Sequence, residues 1–143
     1  MGLLTKYERA GKWGENAGLS AFEGSYVQSW FAPPTLQTPA VKRFVAVMKK
    51  YAPGTYPGYE AAYGYVLADV ILTGATGAGH NITGPAIFAS LQKISSYTGA
   101  GLIPRPIDFT KPKTDPQNRQ SCYWYVKIEN RSFIPVSENP ICG

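Results

Sequence analysis

Hydrophobic residues follow helical spacing through the middle of the chain and strand-like spacing on either side of it. The segment 58–72 is the most informative, because apolar side chains occupy nearly its whole circumference and only Glu60, Gly64 and Asp69 interrupt them. A helix that is apolar all round belongs inside a packed layer and is covered on more than one side. The flanking strand-like segments are the obvious cover, so the pattern predicts helices packed on a sheet.

Two further helices are predicted around this segment. Thr38 followed by Pro39 is typical of a helix start, because the hydroxyl caps exposed amides and proline has no amide to lose. Apolar residues then recur at three-four spacing as far as Tyr51. A second start of the same kind at Thr83 opens a third helix. The glycines of 74–79 are interpreted as the end of the central helix, since a phosphate-binding loop would follow a strand.

Strand patterns bound this helical middle. Residues 24–31 are rich in aromatic and β-branched side chains and stop at a proline pair, which predicts a strand. Residues 122–128 alternate between apolar and more polar positions, which predicts a half-buried strand. A turn at 129–132 then returns the chain as a second strand over 133–136, and Pro135 places that strand at a sheet edge.

Two proline-containing connectors, 33–37 and 104–120, separate the helical middle from both strand regions. Proline excludes continuous helix or central strand there, and a long connector is usually functional or crosses between domains. The layout therefore suits two lobes joined by linkers. The residues before the first strand predict a short helix over 3–9 and then a loop.

The composition is that of one globular domain. The chain has 143 residues, of which 44% are hydrophobic, 16% charged and 13% aromatic. The aromatic excess suits interfaces and ligand clefts, although core filling accounts for much of it. The net charge is +5, but the cations are scattered and only Lys42–Arg43 and Lys49–Lys50 are adjacent pairs. This indicates a solvated helix face and no nucleic-acid partner.

No stretch has the apolar length of a membrane span, and the first residues lack the basic start and apolar run of a signal peptide.

The two cysteines, Cys122 and Cys142, leave two alternatives. Even with His80, the single histidine, they are too few for a structural zinc site, so no metal is predicted. A disulfide between them would close a loop of about 20 residues, contribute about 3 kcal/mol and imply an oxidising compartment. Two buried free thiols in a cytosolic protein are the other interpretation.

Catalytic patterns are absent from the sequence, so the chain is predicted to be neither an enzyme nor a cofactor carrier. His80 lies in a glycine-rich turn, and Glu60 and Asp69 are nine residues apart on opposite sides of one helix. Glu60 itself begins an apolar helix directly after the tyrosine-rich segment 56–59. It is either stabilised there by the helix dipole alone or binds an ammonium or hydroxyl group of a small polar ligand.

Five segments carry a resemblance to a known family: 22–27, 38–45, 59–68, 101–110 and 125–136. Together they resemble the C-terminal part of the periplasmic binding proteins for branched-chain amino acids and related ligands, which serve ABC transporters. The similarity extends over nearly the whole chain from about Phe22 onward. Its strength lies in the order and spacing of the segments, since no single motif is decisive.

The resemblance implies an α/β fold, part of two Rossmann-like lobes that close on a ligand by a hinge. In this scheme the helices of 38–103 belong to the first lobe. The strands of 1–32 and 121–143 belong to the second lobe. The connectors 33–37 and 104–120 are then the hinge crossings between the lobes.

The resemblance also implies where a ligand binds. A family contact at the start of the central helix matches Tyr59 or Glu60, and another lies near Tyr7 and Glu8. Complete family members are far longer, so the chain is expected to be a C-terminal portion with an incomplete ligand site.

The implied function is solute binding for an ABC transporter, with an amino acid or related small molecule as ligand and a permease as the partner of the full-length protein. The implied location is periplasmic or extracellular, which favours the Cys122–Cys142 disulfide. A secreted, non-catalytic interaction module is the alternative function. The ligand itself is not readable, because the residues that discriminate among amino acids, amides, urea and aromatic acids lie largely outside these segments.

Overall fold

The computed structural model describes residues 21–80, 82–112, 114–115, 121–130 and 132–143. The elements in chain order are strand β1 (Tyr26–Ser29), helices α1 (Pro39–Tyr51), α2 (Tyr59–Ala78) and α3 (Gly84–Leu91), a 3-10 turn (Gly99–Gly101), and strands β2 (Cys122–Glu129), β3 (Ser132–Pro135) and β4 (Ile141–Cys142). The predicted helix over 3–9 and the predicted contact near Tyr7 and Glu8 lie outside the described residues. The predicted α/β class, with three helices between a strand and a C-terminal hairpin, is confirmed.

Both predicted helix starts are confirmed. The Thr38 hydroxyl accepts a hydrogen bond of 3.2 Å from the Val41 amide, and the Thr83 hydroxyl accepts one of 3.4 Å from the Ala86 amide. Each threonine has extended backbone and is followed by proline in the first turn. A side-chain oxygen in this position satisfies an amide that has no partner inside the helix, so the local sequence fixes where α1 and α3 begin.

The central helix ends within the segment 74–79, as predicted, but only at the last residues of that segment. α2 continues through Gly74 and Gly77 as far as Ala78, and it ends at Gly79, whose φ is +65°. A glycine inside a helix costs about 1 kcal/mol relative to alanine. Here packing outweighs that cost, because a Cβ atom added at Gly74 would lie only 2.7 Å from Cγ2 of Ile87 in α3. The glycines let α3 approach closely.

α2 is also less covered than its apolar sequence predicts. It packs mainly against α3, with smaller contacts to α1 and the 3-10 turn, and only Ala62 and Gly74 in it are buried. Much of its exposed surface is nevertheless apolar, and the exposed bulky residues are Tyr63, Leu67, Ile71 and Leu72. The flanking strands do not cover these residues within the described part of the chain. Although α2 has 20 residues, none of the helices described has the length and hydrophobicity needed to cross a membrane.

The sheet is antiparallel and built around β2. β1 pairs with one edge of β2, with Val27 opposite Val126, and β3 pairs with the other, with Ile134 opposite Lys127. Along β2, buried residues alternate with partly buried ones, as the sequence predicts for a half-buried strand. Pro135 lies in β3, at the outside of the β1–β2–β3 order, so the predicted hairpin and its edge strand are confirmed.

The disulfide between Cys122 and Cys142 is present, with the two residues directly opposite each other where β4 pairs with the start of β2. The alternative of two free thiols is therefore wrong. Cys122 is buried, whereas Cys142 is exposed, so the bond fastens an exposed tail to the central strand.

The hydrophobic core lies where the sheet, the first connector and the helices meet. Its buried residues are Phe31, Ala32, Leu36, Val41, Phe44, Ala62, Leu102 and Trp124. Leu36 belongs to the connector 33–37 and is only 4% exposed. The Ala32 amide also donates to the Leu102 carbonyl at 2.8 Å. The first connector is thus packed into the core together with Trp124 of β2 and Phe44 of α1.

The chain after α3 forms a folded antiparallel loop that is tied to α2. Tyr97 and Ile107 exchange two backbone hydrogen bonds of 2.8 Å, and the ring of Phe109 lies 5.3 Å from the ring of Tyr97. The buried Tyr97 hydroxyl lies 2.9 Å from Oδ2 of Asp69, to which it donates, and 3.1 Å from the Val66 carbonyl. Asp69, one of the few polar residues of α2, therefore has a structural partner.

Replacing Tyr97 with phenylalanine is expected to lower the free energy of unfolding by about 1–2 kcal/mol near neutral pH, because a hydrogen bond to a charged group is lost. Burial, reinforced by the Asp69 carboxylate, raises the pKa of Tyr97 well above its ordinary value. A raised folded-state pKa means that this contribution is fully present below about pH 10 and is lost as the pH rises through the folded-state pKa. Urea unfolding of both proteins as a function of pH measures this.

The Tyr97→Phe protein should show the shallower loss of stability above pH 10. The Tyr51→Phe protein is the matched control, because Tyr51 is 72% exposed and its replacement should change little. Identical alkaline slopes in wild type and the Tyr97→Phe protein would contradict the role given to the Asp69 hydrogen bond.

Candidate functional site

An open cavity of about 480 Å³ lies between the end of α1 and the start of α2. Its lining residues come from both helices and from the loop that joins them: Met48, Gly54, Thr55, Tyr56, Gly58, Glu60 and Ala61. The predicted site residue Glu60 is among them. Its neighbour Tyr59 is not.

Local sequence shapes this loop. α1 stops at Ala52, and the Thr55 amide donates to the Ala52 carbonyl at 3.1 Å, which turns the chain. Gly54 within the turn has φ +84°, a conformation that is strained for residues with a Cβ atom. Gly58 then caps α2 with extended backbone and no side-chain hydrogen bond. Two turns in quick succession keep the helix ends apart and leave the cavity between them.

Glu60 supplies the only ionisable carboxylate among the cavity's lining residues. It lies in the first turn of α2, where the helix dipole stabilises negative charge, and its side chain is exposed. The other lining groups are the Tyr56 ring, the Met48 thioether, the Thr55 hydroxyl and glycine backbone. A carboxylate beside aromatic and thioether groups suits a ligand that carries an ammonium or hydroxyl group on a small apolar body.

Tyr59 has different surroundings from Glu60. Its ring lies 5.3 Å from the ring of Phe31, which is buried and lies two residues before the connector 33–37. Burial, followed by the nearby Tyr63 and Glu60, raises the pKa of Tyr59 above its ordinary value. The structure separates the two predicted site residues: Glu60 lines the cavity, and Tyr59 packs on Phe31.

Of the seven lining residues, sequence reasoning assigned only Glu60 to a site, and Met48 and Thr55 are two of those it missed. Met48 follows the apolar spacing of α1 and was interpreted as core, and it is only partly buried against the core cluster. Thr55 is a single hydroxyl residue in a loop, a position that carries no periodic signal. The available signal was the pair of turn dipeptides at 53–54 and 57–58, which predict two close turns but not the space between them.

The other candidates from the sequence do not add to this site. His80 lies exposed in the turn after α2. Within the described ranges, histidine, cysteine and carboxylate side chains form no group of three that could hold a metal ion.

Comparison with known proteins gives one finding. The sequence profile described as periplasmic binding protein matches residues 10–132. The chain belongs to this family. The matched range begins before β1 and ends at the start of β3, so it includes all three helices and the cavity between α1 and α2. Searches of curated proteins and of solved structures found no match.

Family membership confirms the resemblance carried by the five sequence segments. Periplasmic binding proteins bind small-molecule ligands, are generally not enzymes, and occupy the periplasm or the extracellular space. The Cys122–Cys142 disulfide agrees with such a location, because oxidising compartments preserve disulfides.

Proposed function

We propose that this periplasmic binding protein serves an ABC transporter and binds an amino acid or a related small polar ligand between two lobes. The observation that carries the proposal is the carboxylate of Glu60 in the lining of a cavity of about 480 Å³ that also has aromatic and thioether lining and lies within the range 38–103. The carboxylate would accept hydrogen bonds from the ligand's ammonium group. The Tyr56 ring and the Met48 thioether would contact its apolar part.

Tyr59 has a second role in this proposal. Its ring packs on Phe31, which lies two residues before the connector 33–37 in the chain. We propose that 33–37 and 104–120 are the crossings between the first lobe (38–103) and the second lobe (1–32 and 121–143). Movement at the first crossing would then displace Tyr59. Tyr59 is adjacent in sequence to Glu60, the proposed partner of the ligand's ammonium group.

This chain alone is expected to bind such a ligand weakly. Among the lining residues, none offers a cationic side chain to hold an amino acid's own carboxylate. A ligand whose ammonium is bound but whose carboxylate is not lacks much of the preorganised contact on which affinity depends. Dissociation constants in the millimolar range are therefore expected for leucine and related amino acids. A micromolar constant from calorimetry would contradict this expectation.

Nuclear magnetic resonance titration tests the site at such affinities. Amino acids should shift backbone amide signals of residues 54–61, and the Glu60→Gln protein should bind about tenfold more weakly, because a charge-assisted hydrogen bond is weakened. N-acetylated amino acids, which lack the ammonium, should cause no shifts there. The Glu138→Gln protein is the control, since Glu138 is an exposed carboxylate outside the cavity. Shifts that are absent, or that are unaffected by Glu60→Gln, would overturn the proposal.

A further inference from the structure

The outward side of α1 carries a concentrated positive charge. Lys42, Arg43, Lys49 and Lys50 are all exposed. At 3.6 residues per turn they fall within a sector of about 120° around the helix axis, opposite the side that buries Val41 and Phe44. We call these four residues the basic face of α1. They are half of the eight lysines and arginines that the structure describes.

Among the described residues, no carboxylate forms an ion pair with this face. α1 contains no aspartate or glutamate. Within the described residues the ion pairs are Lys111 with Asp108 and Lys127 with Glu129, and none of the four cations takes part in one. The Lys50 ammonium does lie 4.8 Å from the centre of the Tyr51 ring, which is itself 72% exposed. The face is therefore available to an external anionic partner.

The shape of the face favours a fluid anionic surface over a fixed protein surface. Lys42 and Lys50 are eight residues apart, about 12 Å along one helix, so all four side chains reach a single plane. Protein interfaces depend on buried aromatic or apolar anchors, and Ala46 is the only apolar residue at the centre of this face. Three of the four cations are lysines, which act as flexible point charges and lack the planar fork of arginine.

We propose that the basic face of α1 binds an anionic phospholipid surface, with the helix axis parallel to the membrane plane. This inference goes beyond solute binding and does not depend on it, because Met48, the residue of α1 that lines the cavity, lies on the opposite side of the helix from the basic face. Each cation near such a surface strengthens binding about fivefold. The attraction is electrostatic and falls as the screening length shortens from about 10 Å at 0.1 M salt to about 3 Å at 1 M salt.

Sedimentation of the 143-residue chain with lipid vesicles tests the proposal. Vesicles of equal parts phosphatidylcholine and phosphatidylglycerol should bind the protein at low salt, whereas vesicles of phosphatidylcholine alone should not. The K42Q/R43Q protein should bind the anionic vesicles about 25-fold more weakly. The K93Q/R105Q protein is the matched control, because it loses one lysine and one arginine from exposed positions outside α1. Its binding should change by less than about twofold.

Five results would overturn the proposal. Equal losses in the two variants would mean that binding follows net charge and not the basic face. Binding to phosphatidylcholine alone, or binding that survives 1 M salt, would point to the exposed apolar residues of α2. Binding to polyglutamate without binding to anionic vesicles would indicate an acidic protein partner. Failure of the wild-type chain to bind anionic vesicles at low salt would refute the proposal directly. Circular dichroism checks that each variant is folded, and K49Q/K50Q provides a second variant of the same face.

Discussion

Replacing Cys122 and Cys142 together with alanine is expected to lower the free energy of unfolding by about 3 kcal/mol. The bond joins residues 20 positions apart, and in the unfolded chain it restricts the loop between them. In the folded protein it fastens β4, a strand of only two exposed residues, to the central strand β2. The Trp124 indole donates to the Glu138 carbonyl at 3.4 Å within the same tail, so loss of the bond should loosen that contact as well.

Urea unfolding followed by tryptophan fluorescence measures this effect. The Ile141→Ala protein is the matched control, because Ile141 lies in the same short strand, is 47% exposed and should contribute less than about 0.5 kcal/mol. Mass spectrometry without reductant should find the wild-type protein two hydrogens lighter than the reduced protein. An unfolding midpoint unchanged by the double substitution would contradict the stabilising role. Two alkylatable thiols in the purified protein would contradict the bond itself.

Local chemistry was sufficient to predict most of the elements. The cap at Thr38 and the alternation along β2 each depend on neighbours within a few residues, so the sequence displays them directly. The hairpin was predictable for the same reason, since its strands are joined by a short turn and Pro135 cannot lie in a central strand. The cysteine pairing required more, because spacing alone left free thiols as an alternative until the register placed Cys142 opposite Cys122.

Features that depend on distant partners were not predictable. The length of α2 is decided by α3, which needs Gly74 and Gly77 for its approach, whereas a local view treats glycines as helix ends. The cavity depends on how two turns orient α1 against α2, so Thr55 gave no signal in the sequence. Asp69 looked like an isolated break in an apolar helix, because its partner Tyr97 lies 28 residues away. In each case the feature is determined by a contact between segments that are distant in sequence, and the local pattern of hydrophobic and polar residues does not show such contacts.

The close packing of α2 on α3 leads to the second large effect, in which Gly74→Val lowers the free energy of unfolding by about 3 kcal/mol. A Cβ atom at this position would lie 2.7 Å from Cγ2 of Ile87, 2.9 Å from Cγ of Leu91 and 3.3 Å from the Ile87 carbonyl oxygen. The side chains can rotate, but the carbonyl belongs to the backbone of α3. Valine therefore forces α3 to move as a whole.

Gly64→Val in the same helix is the matched control, because a Cβ atom there has no neighbour within 4 Å. Valine has a higher helix propensity than glycine, so this protein should be as stable as wild type or more stable by a few tenths of a kcal/mol, on the order of the difference between the two propensities. Thermal unfolding of the two variants compares the same substitution with and without the opposing helix. The Gly74→Val protein should unfold at the lower temperature and should lose amide hydrogen-exchange protection in both α2 and α3. Equal melting temperatures would show that α3 does not rest on α2 at Gly74, and the extension of α2 through its glycines would then need another cause.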